Sequence, residues 1–239
     1  MENIQKTNII IISSAIVLAS IIFGSFYYNA QSKNLNTLSV TGSAKTTVTS
    51  DEAKLILTIS HTVPTSALSV GYAAIAHDLA LTNTLLTQEG ITASNIVASP
   101  VSTNQIFDQN SGAELKYNLN QTITIQSKDV QKLTDISKKI PTLSNQGAIV
   151  SIQSLEYYYS KLPDLRVSLL QNAVKDAKAR ADQIAKGTGR AIGTVQNASS
   201  GVVQVLSPNS VDISGDGSYD TTSIDKDITI TVKASFQLK

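Results

Sequence analysis

Three glycines, Gly187, Gly189 and Gly193, have a spacing that could be taken for a phosphate-binding loop. Residues 177–195 read AKARADQIAKGTGRAIGTV. A phosphate-binding glycine loop follows a strand and opens a helix, because backbone amides and the helix N-terminus attract the anion. Here the glycines follow an alanine-rich helical segment, where the unpaired backbone groups are carbonyls. The order of elements therefore predicts that these glycines end a helix and lead into a strand.

A second candidate for chemistry is the acidic stretch at 212–223, DISGDGSYDTTS. Its residues match the first, third, fifth, sixth and ninth places of a calcium loop, in which oxygen ligands wrap a hard cation. These residues are Asp212, Ser214, Asp216, Gly217 and Asp220. The twelfth place carries Ser223 instead of the bidentate glutamate, and no helix is predicted on either side. The stretch is interpreted as an acidic surface loop, and a calcium- or glycan-binding module that uses residues 206–226 is the alternative function.

Only two histidines are present, and neither has a recognisable catalytic partner. His61 lies near the end of a predicted strand, and His77 lies on the side of the first predicted helix away from its apolar stripe. A catalytic triad or a metal site needs convergent partners, and no nucleophile with its base can be named. Both histidines are predicted to lie at the surface. We therefore assign no catalytic, cofactor-binding or metal-binding residue, and we do not expect an enzyme.

The composition excludes further classes of function. The 239 residues carry a formal net charge of +1, and the 19 basic residues are spread along the chain. Nucleic-acid binding is not predicted, because it requires a concentrated basic surface. The chain has no cysteine, which excludes disulfides, thiol catalysis and cysteine-bound zinc.

The clearest signal is the uncharged run IIIISSAIVLASIIFGSFYY at 9–28. As a helix that rises about 1.5 Å per residue, it would span the core of a bilayer. A cleaved signal peptide is the alternative, but bulky Tyr28 occupies the minus-three position of the nearest cleavage candidate, so an uncleaved anchor is favoured. We predict a cytoplasmic segment at 1–8, a polar linker at 29–37 and an extracytoplasmic domain at 38–239.

Residue periodicity predicts alternating strands and helices in the domain. Alternation of β-branched residues indicates strands, and apolar residues at helical spacing indicate helices. The predicted strands are 38–48, 53–63, 96–107, 115–126, 147–159, 192–205 and 227–238. The predicted helices are 64–88, 129–140 and 163–186. The order ββα, ββα, β, α, ββ indicates an α/β protein of the α+β type with helices layered on sheet, and a tight turn at 49–52 joins the first two strands.

Apolar spacing also predicts which helix faces are buried. The stripe of the first helix is Leu68, Tyr72, Ile75, Leu79 and Leu86. The stripe of the long alanine-rich helix is Leu170, Val174, Ala177, Ala181 and Ile184, where the alanines allow close approach to a sheet. On the outer face of the long helix, Asp176 with Arg180 and Asp182 with Lys186 have the spacing of weak surface ion pairs.

The segment around the glycines resembles the SIMPL-domain family. LRVSLLQNAVKDAKARADQIAKGTGRAIGTV is similar to the family's Arg-led, alanine-rich helix and the turn before the next strand. LSVTGSAKTTVTSDEAKLILTIS resembles its opening strands, EGITASNIVAS its central segment and DITITVKASFQL its closing strand. The resemblance covers about 38–239. It departs from the usual pattern at Ala44, at Ser50 and at the pair Lys116 and Tyr117, which affects turn details.

The resemblance implies an exported or periplasmic protein without established catalytic residues. Some members are similar to a periplasmic or outer-membrane immunogenic protein that assembles into rings, and some are linked to stress tolerance. We therefore expect a membrane-anchored structural or interaction protein of the cell envelope that forms a homo-oligomer. No further protein partner is predicted, and no site residue can be transferred from the family.

Overall fold

The computed structural model describes residues 13–27, 36–106, 114–212 and 214–239. These residues divide into two compact units. The first unit contains the described residues up to Ala44 together with Val167–Val202 and Thr229–Lys239. The second unit contains Lys45–Arg166 and Val203–Ile228, apart from residues that are not described.

The described residues form nine strands and four α-helices. The strands are β1 (Thr37–Thr49), β2 (Glu52–Pro64), β3 (Ile96–Ala98), β4 (Ser102–Ile106), β5 (Lys116–Ser127), β6 (Val150–Tyr158), β7 (Ile192–Leu206), β8 (Ser218–Tyr219) and β9 (Asp225–Leu238). The helices are α1 (13–27), α2 (Leu68–Gln88), α3 (Val130–Lys139) and α4 (Leu162–Gly187). This mixed α+β composition confirms the predicted class.

The second unit is built on an antiparallel sheet with the order β3-β5-β2-β6, in which β4 also pairs with β5. Alternate residues of β2 and β5 point into the core beside α2 and α3, as the period of two in their sequences predicts. The fully buried members of this core include Leu55, Leu57, Ile59, Leu119, Ile123 and Leu133. The opposite face of β5 carries Asn118, Asn120, Thr122 and Thr124, so the same alternation gives this strand one polar face.

The first unit packs α4 directly against β1. A Cβ atom placed on Gly42 would lie 2.3 Å from the carbonyl oxygen of Ala173 and 2.3 Å from the amide nitrogen of Ala177, so the two backbones meet at the van der Waals limit. The predicted close approach of the alanines is confirmed. The predicted stripe is correct only at Ala177 and Ala181, because Val174 and Ile184 are exposed and Leu170 is only partly buried. The buried stripe is instead Leu169, Ala173, Ala177, Ala181 and Ala185, since small side chains let the helix approach.

The predicted stripe of α2 is correct at Ile75 and Leu86, which are buried, and Leu68 and Leu79 pack partly buried against the same core, but the prediction is wrong at Tyr72. Tyr72 is 46% exposed, and its hydroxyl lies 2.7 Å from the Oγ1 atom of Thr103. The buried positions are Gly71, Ile75, Asp78, Thr82 and Leu86. Asp78 and Thr82 were missed because polar residues are not expected in an apolar stripe, and each is buried with a hydrogen-bond partner.

Several predicted connections are refined. The strands β1 and β2 follow each other after a two-residue connection, but they belong to different sheets, since β1 neighbours β9 in the sheet β1-β9-β7-β8. The predicted strand at 96–107 is two short strands interrupted near Pro100, and the two-residue strand β8 was not predicted. The expected turn at 108–113 lies outside the described residues.

Residues 13–27 of the predicted anchor are helical. Within the described ranges, no helix has both the length and the apolar character needed to cross a bilayer. Residues 9–12 and 28 of the anchor, and most of the 29–37 linker, lie outside those ranges.

Candidate functional site

The glycine turn after α4 uses its backbone amides to end the helix. The amide of Gly189 donates to the carbonyl of Lys186 at 3.0 Å, and the amide of Arg190 donates to the carbonyl of Ala185 at 2.8 Å. Gly189 has a φ of +72°, the left-handed geometry that this type of helix end requires. The amide of Thr188 also bonds back to the helix. The prediction of a helix stop is confirmed, and no amide of residues 188–190 remains to bind a phosphate.

This turn delivers the chain into β7, which has an open edge. β9 flanks β7 on one side, and β8 pairs with it on the other side only at Gln204 and Val205. Residues 192–202 therefore have no strand neighbour on that second side among the described residues. Residues 194–200 are all exposed, and Val195 is 53% exposed. Neither a charged residue nor a proline occurs at 191–206.

Each of the other long edge strands in the described chain carries at least one feature that opposes pairing. In β6, a register shift opposite Ile56 and Leu57 leaves Gln153 as an extra residue, and the amide of Tyr157 donates to the carbonyl of Thr221 at 2.7 Å. On β1, the amide of Ser43 donates to the carboxylate of Asp176 on α4 at 2.8 Å. The outer edge of β5 is covered by the short strands β3 and β4. Bulges, charges, covering segments and short strands are the usual means by which proteins prevent edge pairing. β7 lacks all of them along residues 192–202.

Asp176 therefore does more than the predicted surface ion pair. It lies 2.7 Å from the Nε atom of Arg180, as the four-residue spacing predicts, and the pair Asp182 and Lys186 is confirmed at 2.6 Å. The second function of Asp176, capping an edge amide of β1, depends on the β1–α4 contact and has no signal in the sequence. The amide of Ser43 and the guanidinium of Arg180 lower the pKa of Asp176 against the opposing effect of burial.

In the acidic loop, Asp220 is engaged within the protein. Its Oδ1 atom accepts from the amide of Thr222 at 2.9 Å and from the Thr222 hydroxyl at 2.7 Å, and its Oδ2 atom accepts from Ser223. Burial opposes ionisation, but these hydrogen bonds lower the pKa of Asp220 to about 2. Asp212 and Asp216 are exposed, Ile213 is outside the described residues, and no cluster of three or more acidic, histidine or cysteine side chains suited to a metal occurs in the described part of the chain.

Lys226 binds the same loop through backbone carbonyls, a role that the sequence does not predict. Its side chain is 0% exposed, and its Nζ atom donates to the carbonyls of Asp220 and Ser223, the latter at 2.8 Å. The ammonium group also lies 5.6 Å from the centre of the Tyr219 ring. Burial lowers the pKa of Lys226, and the nearby Asp220 carboxylate opposes this shift. The alternation of β9 places Lys226 at an inward position. The sequence does not predict its burial, because lysines are rarely buried without partners.

The prediction that both histidines lie at the surface is correct for His77 and wrong for His61. The side chain of His77 is 61% exposed, whereas that of His61 is 16% exposed. The Nε2 atom of His61 lies 2.7 Å from Oδ2 of Asp78, a side chain that is only 2% exposed. Asp78 also accepts from the amide of Ile149 at 2.9 Å. A buried carboxylate needs such donors. The sequence does not show that His61 and Asp78 are partners, because they meet only through the packing of α2 on β2.

The pair formed by Asp78 and His61 links three elements of the second unit. Burial would raise the pKa of Asp78, but the hydrogen bonds from Ile149, His61 and His77 together lower it. The carboxylate therefore remains ionised and fixes β2, α2 and the segment before β6 to one another. This arrangement is typical of a structural polar network.

Two sheets with helices packed on them define this chain as a mixed α+β protein. A family model named SIMPL and described as "Protein of unknown function (DUF541)" matches residues 38–236. The chain belongs to the SIMPL family, as the residues of its helix, turn and strands predicted.

No curated protein matches the chain. Among solved structures, it is similar to a provisionally assigned amidohydrolase/peptidase from Burkholderia cenocepacia, with 9% identity and a TM-score of 0.26 over 50% of this chain and 29% of that one. It is also similar to a provisionally assigned aminohydrolase from methicillin-resistant Staphylococcus aureus (12% identity, TM-score 0.25, 59% of this chain and 38% of that one). A hydantoinase/carbamoylase family amidase from Burkholderia ambifaria gives 11% identity and a TM-score of 0.24 over 52% of this chain and 34% of that one. The chain thus spans about a third of the length of these proteins, and TM-scores this low carry no argument about its function.

Proposed function

We propose that this chain is an extracytoplasmic interaction module of the cell envelope, anchored through residues 9–28, which assembles with copies of itself through the open edge of β7. The observation that carries the proposal is the contrast between edges. Asp176 caps an amide of β1, and β6 has an extra residue and a covering segment, whereas residues 192–202 of β7 are uncharged and have no strand on their outer side among the described residues.

Strand addition is the contact that such an edge favours. A second strand would satisfy the outward amides and carbonyls of β7, which face solvent in a single copy. Because the other edges are protected, the simplest partner for β7 is the β7 strand of a second copy. This contact is two-fold symmetric and closes at two copies. The proposal is one of contact and assigns no catalytic step.

In this proposal the assembly lies at the outer side of the membrane, which the predicted anchor and the family resemblance support. Residues 9–28 have the length and composition of a membrane span, and the polar residues 29–37 would separate it from the domain. A link to stress tolerance, implied by the resemblance, would act through this envelope assembly.

Native mass spectrometry of the detergent-extracted full chain tests the proposal. Adjacent residues of a strand point their amides toward opposite edges, so Ala198→Pro and Ser199→Pro form a matched pair. One variant removes a hydrogen bond to β9 and lowers the unfolding temperature, whereas the other removes only an outward donor. We expect the variant that removes only the outward donor to keep its unfolding temperature and to become monomeric.

A wild-type protein that is strictly monomeric at micromolar concentration would contradict self-assembly. An oligomer that persists in the proline variant with the unchanged unfolding temperature would show that assembly does not use β7.

A further inference from the structure

A polar cavity of about 640 Å³ lies at one end of the sheet of the second unit. It is lined by residues from the beginning of β2, the end of β5, the end of β6 and the turn before β3. The lining residues that matter below are Glu52, Lys54, Asn95, Gln126, Lys128 and Tyr158. The cavity has the volume of a small-molecule site.

Strand register explains why these side chains converge. Lys54 of β2 is directly opposite Gln126 of β5 on one side and Glu156 of β6 on the other. Glu52, two residues earlier in β2, is opposite Tyr158. Residues that are directly opposite share one face of the sheet, so these side chains form two adjacent rows on the face away from the hydrophobic core.

Most polar ends of this lining have no partner. Within the described part of the chain, the side chains of Glu52, Asn95, Gln126 and Lys128 make no hydrogen bond or ion pair. Lys54 has only an ion pair of 3.6 Å with Glu156, which is longer than a hydrogen bond. The cavity therefore offers several unused donors and acceptors at fixed places on a sheet.

One wall of the cavity is an oriented aromatic side chain. The hydroxyl of Tyr158 donates to Oε2 of Glu156 at 2.7 Å, and its ring lies against Tyr219 with the ring centres 5.9 Å apart. The hydrogen bond to Glu156 is the main cause that raises the pKa of Tyr158 to about 12. The hydroxyl stays protonated, and the ring is held beside the cavity.

We propose that this cavity binds a neutral, hydroxyl-rich ligand, namely a short oligosaccharide. The charged groups around it balance, because two carboxylates, Glu52 and Glu156, accompany two ammonium groups, Lys54 and Lys128. An anionic ligand would need a surplus of positive charge, and an apolar ligand would need an apolar lining.

Sugar hydroxyls fit such a mixed lining because each can donate one hydrogen bond and accept others. The amides of Asn95 and Gln126 offer both kinds of partner in one plane, and the ring of Tyr158 offers an apolar surface for the face of a sugar ring. The inference does not depend on self-assembly through β7, which uses other residues.

Saturation-transfer NMR on the detergent-solubilised full chain tests the inference. The probes are the tetrasaccharides of N-acetylglucosamine, cellulose and maltose, with inorganic phosphate as the anionic comparison. We expect transfer from the protein to at least one tetrasaccharide. Loss of one hydrogen bond or one stacking contact should weaken that binding about fivefold to tenfold in Gln126→Ala and in Tyr158→Ala.

A matched control is available on the same unit. Thr87 and Gln88 line a separate shallow cleft on α2, so Gln88→Ala should leave sugar binding unchanged. Tyr158→Phe keeps the ring and provides a second variant if Tyr158→Ala is unstable. The proposal is overturned if no tetrasaccharide shows transfer, if phosphate binds and sugars do not, or if Gln126→Ala binds as tightly as Gln88→Ala.

Discussion

The contact between Gly42 and α4 allows a strong test of the first unit. Replacing Gly42 by alanine adds a Cβ atom that would lie 2.3 Å from the carbonyl oxygen of Ala173 and 2.7 Å from the Cα atom of Ala177. Both neighbours are backbone atoms, so no side chain can rotate away. The helix must move by about 1 Å to restore an ordinary contact, and gaps of about 0.5–1 Å already forfeit a quarter to a half of the dispersion energy along a packed stripe.

We expect Gly42→Ala to lower the free energy of unfolding by about 3 kcal/mol, at the upper end of overpacking effects. In urea this corresponds to a midpoint lower by roughly 1–2 M for a slope of about 2 kcal/mol per molar urea. The matched control is Gly187→Ala, because a Cβ there meets no atom within 4 Å and the residue ends α4 without a positive φ.

The control variant should be as stable as the wild type or more stable by up to about 1 kcal/mol, since alanine favours a helix more than glycine does. The reasoning would be refuted if Gly42→Ala and Gly187→Ala unfolded within about 0.5 kcal/mol of each other, the range expected of ordinary surface substitutions. Such a result would mean that the backbones of β1 and α4 are not in contact at Gly42.

Further predictions concern the polar groups and the anchor. The pKa of Asp78 is lowered in the folded state, so the carboxylate stabilises the fold fully above the ordinary aspartate pKa of about 3.8, and this stabilisation is lost as the pH falls through the folded pKa. The free energy of unfolding in urea should therefore decrease between pH 5 and pH 2 in the wild type. Asp78→Asn should make this decrease smaller. His61→Ala should cost about 2 kcal/mol in urea unfolding because it leaves the buried carboxylate short of a donor, whereas His77→Ala should change stability by less than about 0.5 kcal/mol, and equal effects would contradict the assignment. Lys226→Met should lower the thermal unfolding temperature, since the carbonyls of Asp220 and Ser223 lose a donor at a cost of about 1–3 kcal/mol, and an unchanged temperature would show that this lysine does not hold the loop. An alkaline phosphatase fused after Lys239 should be active in cells, and deletion of residues 9–28 should abolish that activity; an active fusion without these residues would contradict the anchor.

The parts of the fold that could be predicted are those that repeat a local pattern. The alternation in the sequence of β5 matches its buried face, and the glycines after α4 identified the helix stop. The buried stripe of α4 could not be placed correctly, because alanine and leucine carry similar helical signals while the choice of face depends on Gly42 in a distant strand. Gly42 itself stands in an ordinary strand pattern, and nothing local shows that a helix crosses it.

The polar positions show a second limit of sequence reasoning. Asp78 and Lys226 lie at inward positions of α2 and β9, and each is buried only because tertiary structure supplies its partners. From sequence alone, a charged residue is expected at the surface even where the periodicity of its helix or strand indicates an inward position. The cavity lined by Lys54, Gln126 and Tyr158 was missed for a related reason, since its rows are created by the register of three strands.

The open edge of β7 combines a signal that the sequence contains with one that it does not. A run of 16 residues without charge or proline at 191–206 is visible directly, but such a run also describes a central strand that is covered on both sides. Only the order β1-β9-β7-β8, with β8 limited to Ser218–Tyr219, shows that this strand lies at an edge. An uncharged strand in the centre of a sheet needs no explanation, whereas the same strand at an edge is open to pairing with a further strand. The inference of assembly therefore depends on topology. The two edges also differ in chemistry, because the alanine stripe of α4 brings the Asp176 carboxylate to an edge amide of β1, whereas residues 191–206 at β7 include no charged residue.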